Sequence, residues 1–122
     1  MQTKPFSLPE WSLAGGETRR RTFTLYQDEN GLVYNIPGAS AQIAVVDFVN
    51  QHSEAKFTKP AEITMNDDGQ YCEVLVELSP TDTVNLHGKY IYQLTIKDAN
   101  GNVAALKGIM YISENVDKAF IS

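Results

Sequence analysis

Cysteine is nearly missing from this chain: Cys72 stands alone among 122 residues. A single cysteine excludes an internal disulfide and fits a chain folded in a reducing compartment. Long apolar runs are missing too. No stretch approaches the ~18–20 residues that a membrane helix needs. The segment from Met1 to Trp11 has one lysine, two prolines and no apolar core, so it does not read as a signal peptide. Positive charge is in deficit, with ten Lys and Arg against fifteen Asp and Glu for a formal net charge of −5. That field repels nucleic acid and anionic membranes, so neither is an expected partner. The two histidines, His52 and His87, have no His or Cys at ligand spacing, and no zinc site is expected. No G-x-S-x-G, H-E-x-x-H or Walker-type glycine loop occurs. The residues therefore point to no enzyme and no cofactor.

What is present is period-two alternation broken by turn signals. Thr18 to Tyr26 reads as a strand with Phe23 and Leu25 inward and Thr22 and Thr24 outward. Leu32–Ile36 reads as a short strand between Asp28-Glu29-Asn30-Gly31 and Pro37-Gly38. Ala41–Val49 is apolar on both faces, with Ile43, Val45 and Val49 on one side and Ala44, Val46 and Phe48 on the other. A strand of that kind is covered twice. A polar stretch from Asn50 to Lys59 precedes a short strand that starts at Pro60 and carries Ile63 and Met65. After the turn Asn66-Asp67-Asp68-Gly69, Tyr71–Leu78 alternates with Cys72, Val74, Val76 and Leu78 inward. Ser79-Pro80-x-Asp82 is a helix start, with an N-cap hydroxyl, Pro at the first helical position and an acid in the first turn.

Leu86-x-Gly88-x-Tyr90 has the spacing of a tyrosine corner, in which the hydroxyl bonds back to the main chain a few residues upstream. A strand through Ile96, the turn Asp98-Ala99-Asn100-Gly101-Asn102 and a return strand Val103–Ile112 follow, with Lys107-Gly108 read as a bulge. About seven short strands, regular turns and no long helical period describe an all-β, Greek-key sandwich. The domain plan is an arm at 1–16, the sandwich at 17–115 and a tail at 116–122. The arm, with Phe6, Leu8, Trp11 and Leu13, either folds back over the core or docks on a neighbouring subunit.

Residues able to carry chemistry read better as structure. Cys72, on an inward face, is a small hydrophobe. Asp98–Asn102 lacks the glycine position and the twelfth-position acid of a calcium loop. Asp67 and Asp68 belong to a turn. Arg19, Arg20 and Arg21 have no interleaved aromatics for nucleic acid and read as a solvated strand start, with a subunit contact as the other reading.

The sequence resembles the N-terminal domain of siphophage baseplate upper proteins, found in phages and prophages of Gram-positive bacteria. The resemblance covers roughly residues 17–115. It is carried by Ile36-Pro37-Gly38-Ala39 leading into Ala41–Val49, and by Glu77-Leu78-Ser79-Pro80-x-Asp82-Thr83. It continues in the run from Leu86-x-Gly88-Lys89-Tyr90 through Lys97-Asp98-x-x-Gly101-Asn102-Val103, and in Gly108-Ile109-Met110-Tyr111-Ile112. It implies an immunoglobulin-like β-sandwich and a virion component, made in the bacterial cytoplasm, whose partners are tail or baseplate proteins. The family's C-terminal region, which carries receptor-binding proteins, does not follow the sandwich in this sequence, which reads either as a stand-alone small tail protein or as part of a longer one, so the resemblance does not extend to that scaffold role. No catalytic residue comes with the resemblance.

The expected function is a non-enzymatic structural part of a tail or baseplate that assembles by protein contact, as a homo-oligomer. Phe6, Leu8, Trp11, Val46 and Phe48 are the expected contact residues. The alternative is a carbohydrate-binding module for host-wall glycans, with Tyr26, Tyr34 and Tyr71 as sugar platforms.

Overall fold

The computed structural model describes residues 8–26, 39–65, 71–97, 101 and 103–121, without the side chains of Leu25, Tyr26, Met65, Tyr71 and Cys72. Within them the chain forms β1 (Trp11–Ala14), β2 (Arg19–Tyr26), β3 (Ser40–Asp47), β4 (Phe57–Met65) and β5 (Tyr71–Leu78). Helix α1 (Pro80–Thr83) follows, then β6 (Gly88–Lys97), β7 (Val103–Ser113) and α2 (Lys118–Ile121). The expected strand at 32–36 and the turns at 28–31, 66–69 and 98–100 lie outside the described residues.

Hydrogen bonding runs in the order β1-β7-β6-β3-β4-β5-β2. It is continuous because β4 belongs to two sheets. Its first half pairs with β3, through Ala61 opposite Ala41. Its second half pairs with β5, from Glu62 opposite Leu75 to Met65 opposite Cys72. Pro60, which has no N–H to give a ladder, sits at this changeover. The result is a five-stranded sheet (β1, β7, β6, β3 and the start of β4) facing a three-stranded one (the end of β4, β5 and β2). The orders β7-β6-β3 and β4-β5-β2 are those of an immunoglobulin-like β-sandwich. β4 begins at Phe57, three residues before the sequence expectation, because Phe57 lies opposite Val45 and packs against the core.

Alternation decides which side chains meet between the sheets. Phe23, Val74, Val76 and Leu78 from one sheet and Ile43, Val45, Tyr92, Leu94, Ile96, Leu106, Met110 and Ile112 from the other form one buried cluster. At ~25 cal/mol per Å² of apolar area removed from water, burial of this kind is the main stabilising term.

Two glycines fit by space rather than by bend. The β6–β7 register stays in step from Gly88 opposite Ile112 to Lys97 opposite Val103, so the expected bulge at Lys107-Gly108 is absent. Gly108 lies opposite Tyr92, and a Cβ there would stand 2.7 Å from the tyrosine ring. The strand needs glycine because the ring occupies the space of a side chain. Gly15 is similar: a Cβ would meet the Thr83 carbonyl at 2.7 Å. Around it, the Gly15 N–H donates to the Ser113 carbonyl (2.8 Å), and the Gly16 N–H donates to Thr83 Oγ1 (2.9 Å). Asn115 Nδ2 donates to the Gly15 carbonyl at 2.7 Å. The Gly15-Gly16 pair thus threads between α1 and the end of β7, and supplies the partner for the fully buried Thr83 hydroxyl.

Candidate functional site

The expected contact residues divide into two groups. Leu8 and Trp11 are inside the fold, at 8% and 5% exposure. β1 pairs in parallel with β7, Trp11 opposite Met110, and the Leu8 N–H donates to the Lys107 carbonyl at 3.0 Å. Trp11 packs edge-on to Phe23 (5.9 Å) and Tyr92 (5.7 Å). Leu8 and Trp11 are therefore corrected from partner contacts to core residues, and residues 11–14 from arm to strand. The largest apolar side chain of the chain has more to gain from an aromatic cage between its own sheets than from an edge. Phe6 lies outside the described residues.

Val46 and Phe48 are placed differently. Val46 faces away from the core on the outer side of the five-stranded sheet, opposite Ile91, which in turn lies opposite Ile109. Ile91 is only 3% exposed although it lies outside the main cluster. Three consecutive residues of β6, Tyr90, Ile91 and Tyr92, are thus buried, so the strand is covered on both faces. Phe48 continues the outer face just past the end of β3. Its N–H donates to the Lys89 carbonyl (3.2 Å), and Lys89 Nζ stands 3.9 Å from its ring centroid and 5.9 Å from that of Tyr111. Val49 does not extend the Ile43 and Val45 side of the strand expected over 41–49. The strand ends at Asp47, whose Oδ1 accepts the Val49 N–H at 3.1 Å, and the side chain turns out to 91% exposure.

The corner forms as its spacing predicts. The Tyr90 hydroxyl donates to the His87 carbonyl (2.8 Å) and accepts the His87 N–H (3.1 Å). Burial pushes the Tyr90 hydroxyl up, partly offset by the His87 backbone bond, with the Asp47 charge adding to the rise. Gly88 has φ +119°, and a Cβ would meet nothing within 4 Å, so the backbone angle rather than space calls for glycine. Leu86 is half-buried and packs against the core.

The arginine run is engaged within the chain. The Arg21 guanidinium lies 5.2 Å from the Phe23 ring centroid and 5.5 Å from that of Trp11, and Nη1 donates to the Glu10 carbonyl at 3.1 Å. Arg20 pairs with Glu77 (3.3 Å) and Arg19 with Glu17 (3.4 Å), both exposed pairs of small energetic weight.

Helix α1 is held by one carboxylate. Asp82 Oδ2 accepts the Ser79 N–H (2.7 Å), the Ser79 hydroxyl (2.9 Å) and Lys59 Nζ (2.8 Å). Burial alone would raise the Asp82 pKa, but Lys59 and the Ser79 bonds outweigh it and hold it below the usual value. Tyr92 is pushed up to about 12 by burial, with Arg21 pulling the other way, and its hydroxyl donates to the Pro9 carbonyl.

His52 and His87 are both exposed. Among the described residues no group of three His, Cys, Asp or Glu converges as metal ligands. The surface that sequence reasoning left incomplete is the cross-strand row Val46, Ile91, Ile109 with Tyr111 beside it. Its signal was the odd-numbered set of the β6 run, where an Ile stands between two tyrosines.

No family model matches the chain, and no curated protein does either. Several solved structures are similar in shape at low sequence identity. CopC from Methylosinus trichosporium OB3b has 12% identity and TM-score 0.40, over 88% of this chain and 87% of that one. AggA, the major subunit of aggregative adherence fimbriae type I from Escherichia coli, has 10% identity and TM-score 0.41, over 87% and 91%. The first Ig-like domain of human CD48 antigen has 14% identity and TM-score 0.33, over 95% and 90%.

Proposed function

We propose that the chain is a non-enzymatic structural component of a phage or prophage tail or baseplate, acting through protein–protein contacts. The resemblance in strand, corner and turn motifs supports the setting. The observation that carries the mode of action is the outer face of the five-stranded sheet. There, the half-buried Val46 and Ile109 flank the buried Ile91, with half-buried Phe48 and exposed Tyr111 on the same face, a side that antiparallel sheets commonly fill with polar residues. Val46 and Phe48 stay in this reading as contact residues, and Tyr111 joins them. The test is binding of the purified chain to tail and baseplate proteins reconstituted from the same genome. Val46→Asp and Tyr111→Asp are expected to lower affinity at least tenfold while the fold survives. No binding to any of these proteins would overturn the proposal.

A second reading, a module that binds host-wall glycans, is favoured by one placement. The β2–β5 register sets Tyr26 opposite Tyr71 at the strand ends, and Tyr34 lies outside the described residues. Retention on cell-wall glycan, lost on Tyr26→Ala or Tyr71→Ala, would support it. Absence of any glycan binding removes it.

A further inference from the structure

The two outer faces of the sandwich carry opposite charge. On the five-stranded sheet, every charged residue at an outward strand position is a lysine: Lys89 and Lys97 on β6 and Lys107 on β7, all exposed. Lys107 lies opposite Gln93, midway between the other two, so the lysines recur at about 14 Å along the sheet. Such a face stands out on a chain whose net charge is −5. On the three-stranded sheet, the described outward charges are Glu62, Glu73 and Glu77 against Arg20, all exposed. Glu73 and Glu77 are also four residues apart, the same step of about 14 Å. Arg20 is already paired with Glu77, which leaves Glu62 and Glu73 as the uncompensated acids.

We infer that the chain stacks on a second copy of itself, the lysine face of one copy against the glutamate face of the next. Like faces would set lysine against lysine or glutamate against glutamate, so the pairing is heterologous rather than two-fold. A heterologous contact leaves one face of each kind open and adds further copies, as a ring or a filament. This stacking rests on the reading of the chain as one that works by protein contact, and it names the partner as the chain itself.

Sedimentation velocity on the full chain at low salt tests it. The expected result is concentration-dependent growth beyond a dimer, weakened at least tenfold by 0.5 M salt, where the screening length falls to about 4 Å. The triple variant Lys89→Glu/Lys97→Glu/Lys107→Glu and the double variant Glu62→Lys/Glu73→Lys are each expected to stay monomeric. An equimolar mixture of the two is expected to associate again, because each then offers the face the other lacks. All five sites are exposed, and circular dichroism confirms that each variant folds. If one does not, the salt dependence of the unaltered chain still decides. A strictly monomeric chain at low salt, or association that survives either inversion, would overturn the stacking. A monomer that still binds baseplate or tail proteins sinks the stacking alone, whereas stacking copies that bind none of those proteins sink the proposed setting alone.

Discussion

Phe23 and Tyr92 meet between the sheets with ring centroids 5.8 Å apart and planes tilted by 40°. Phe23 is on β2 and Tyr92 is on β6, two residues after the corner tyrosine. In antibody-type domains those two strands carry the inter-sheet disulfide, with the second cysteine at this offset. This chain pins its sheets with an aromatic pair, and Trp11 from β1 closes the third side. A fold with one cysteine needs no covalent staple when three rings and a capping arginine fill the same space.

Trp11→Ala should therefore act on stability. Removing a buried aromatic of this size costs about 3–5 kcal/mol. Urea unfolding should show the loss, and the intact Trp11 should have blue-shifted fluorescence and resist acrylamide quenching. A variant as stable as the parent would return Trp11 to the surface.

Gly108→Ala should destabilise by about 1–3 kcal/mol, because the new methyl overlaps the Tyr92 ring in a packed core. Combining it with Tyr92→Leu should recover part of that loss, since the smaller side chain vacates the space. Thermal melts of the two single variants and the double variant measure the coupling. Strictly additive losses would mean that the two residues do not share the space.

Alkali should unfold the chain through its buried tyrosines. The folded Tyr92 pKa is about 12 against roughly 10 in the unfolded chain. The folded state keeps the proton longer, so this contribution is fully present below about pH 10 and is lost as pH rises through 12. Tyr90 is shifted in the same direction. Tyr92→Phe should lose about 1 kcal/mol at neutral pH, with the Pro9 bond, yet show a shallower decline above pH 10. Chemical denaturation at stepped pH follows both effects.

Acid should act through α1. Lys59 and the Ser79 bonds hold the folded pKa of Asp82 below its unfolded value of about 3.9, so its contribution is fully present above that unfolded value. It is lost as pH falls through the folded value. Asp82→Asn should lower neutral-pH stability and flatten the acid limb of the pH–stability curve. Lys59→Met should reproduce part of that flattening, because Lys59 is one of the groups that hold the carboxylate ionised.

Much of the architecture was legible in residue order because alternation and corner chemistry are local. Phe23 between Thr22 and Thr24, Val74-x-Val76-x-Leu78, and Leu86-x-Gly88-x-Tyr90 determine inward faces and a turn through neighbours one to four residues away. Tertiary structure alone decided what depends on residues far apart in the chain. The period-two pattern cannot say whether Gly108 marks a bulge or makes room for Tyr92, sixteen positions earlier. It cannot say that β4 changes sheets beside Pro60, or that Trp11 ends between Phe23 and Tyr92 instead of on a neighbour. Nor can it show that Lys89, Lys97 and Lys107 share one face, because that follows from the pairing of β6 with β7. Sequence determines which side of a strand a residue takes, and only the packed sheets determine what stands across from it.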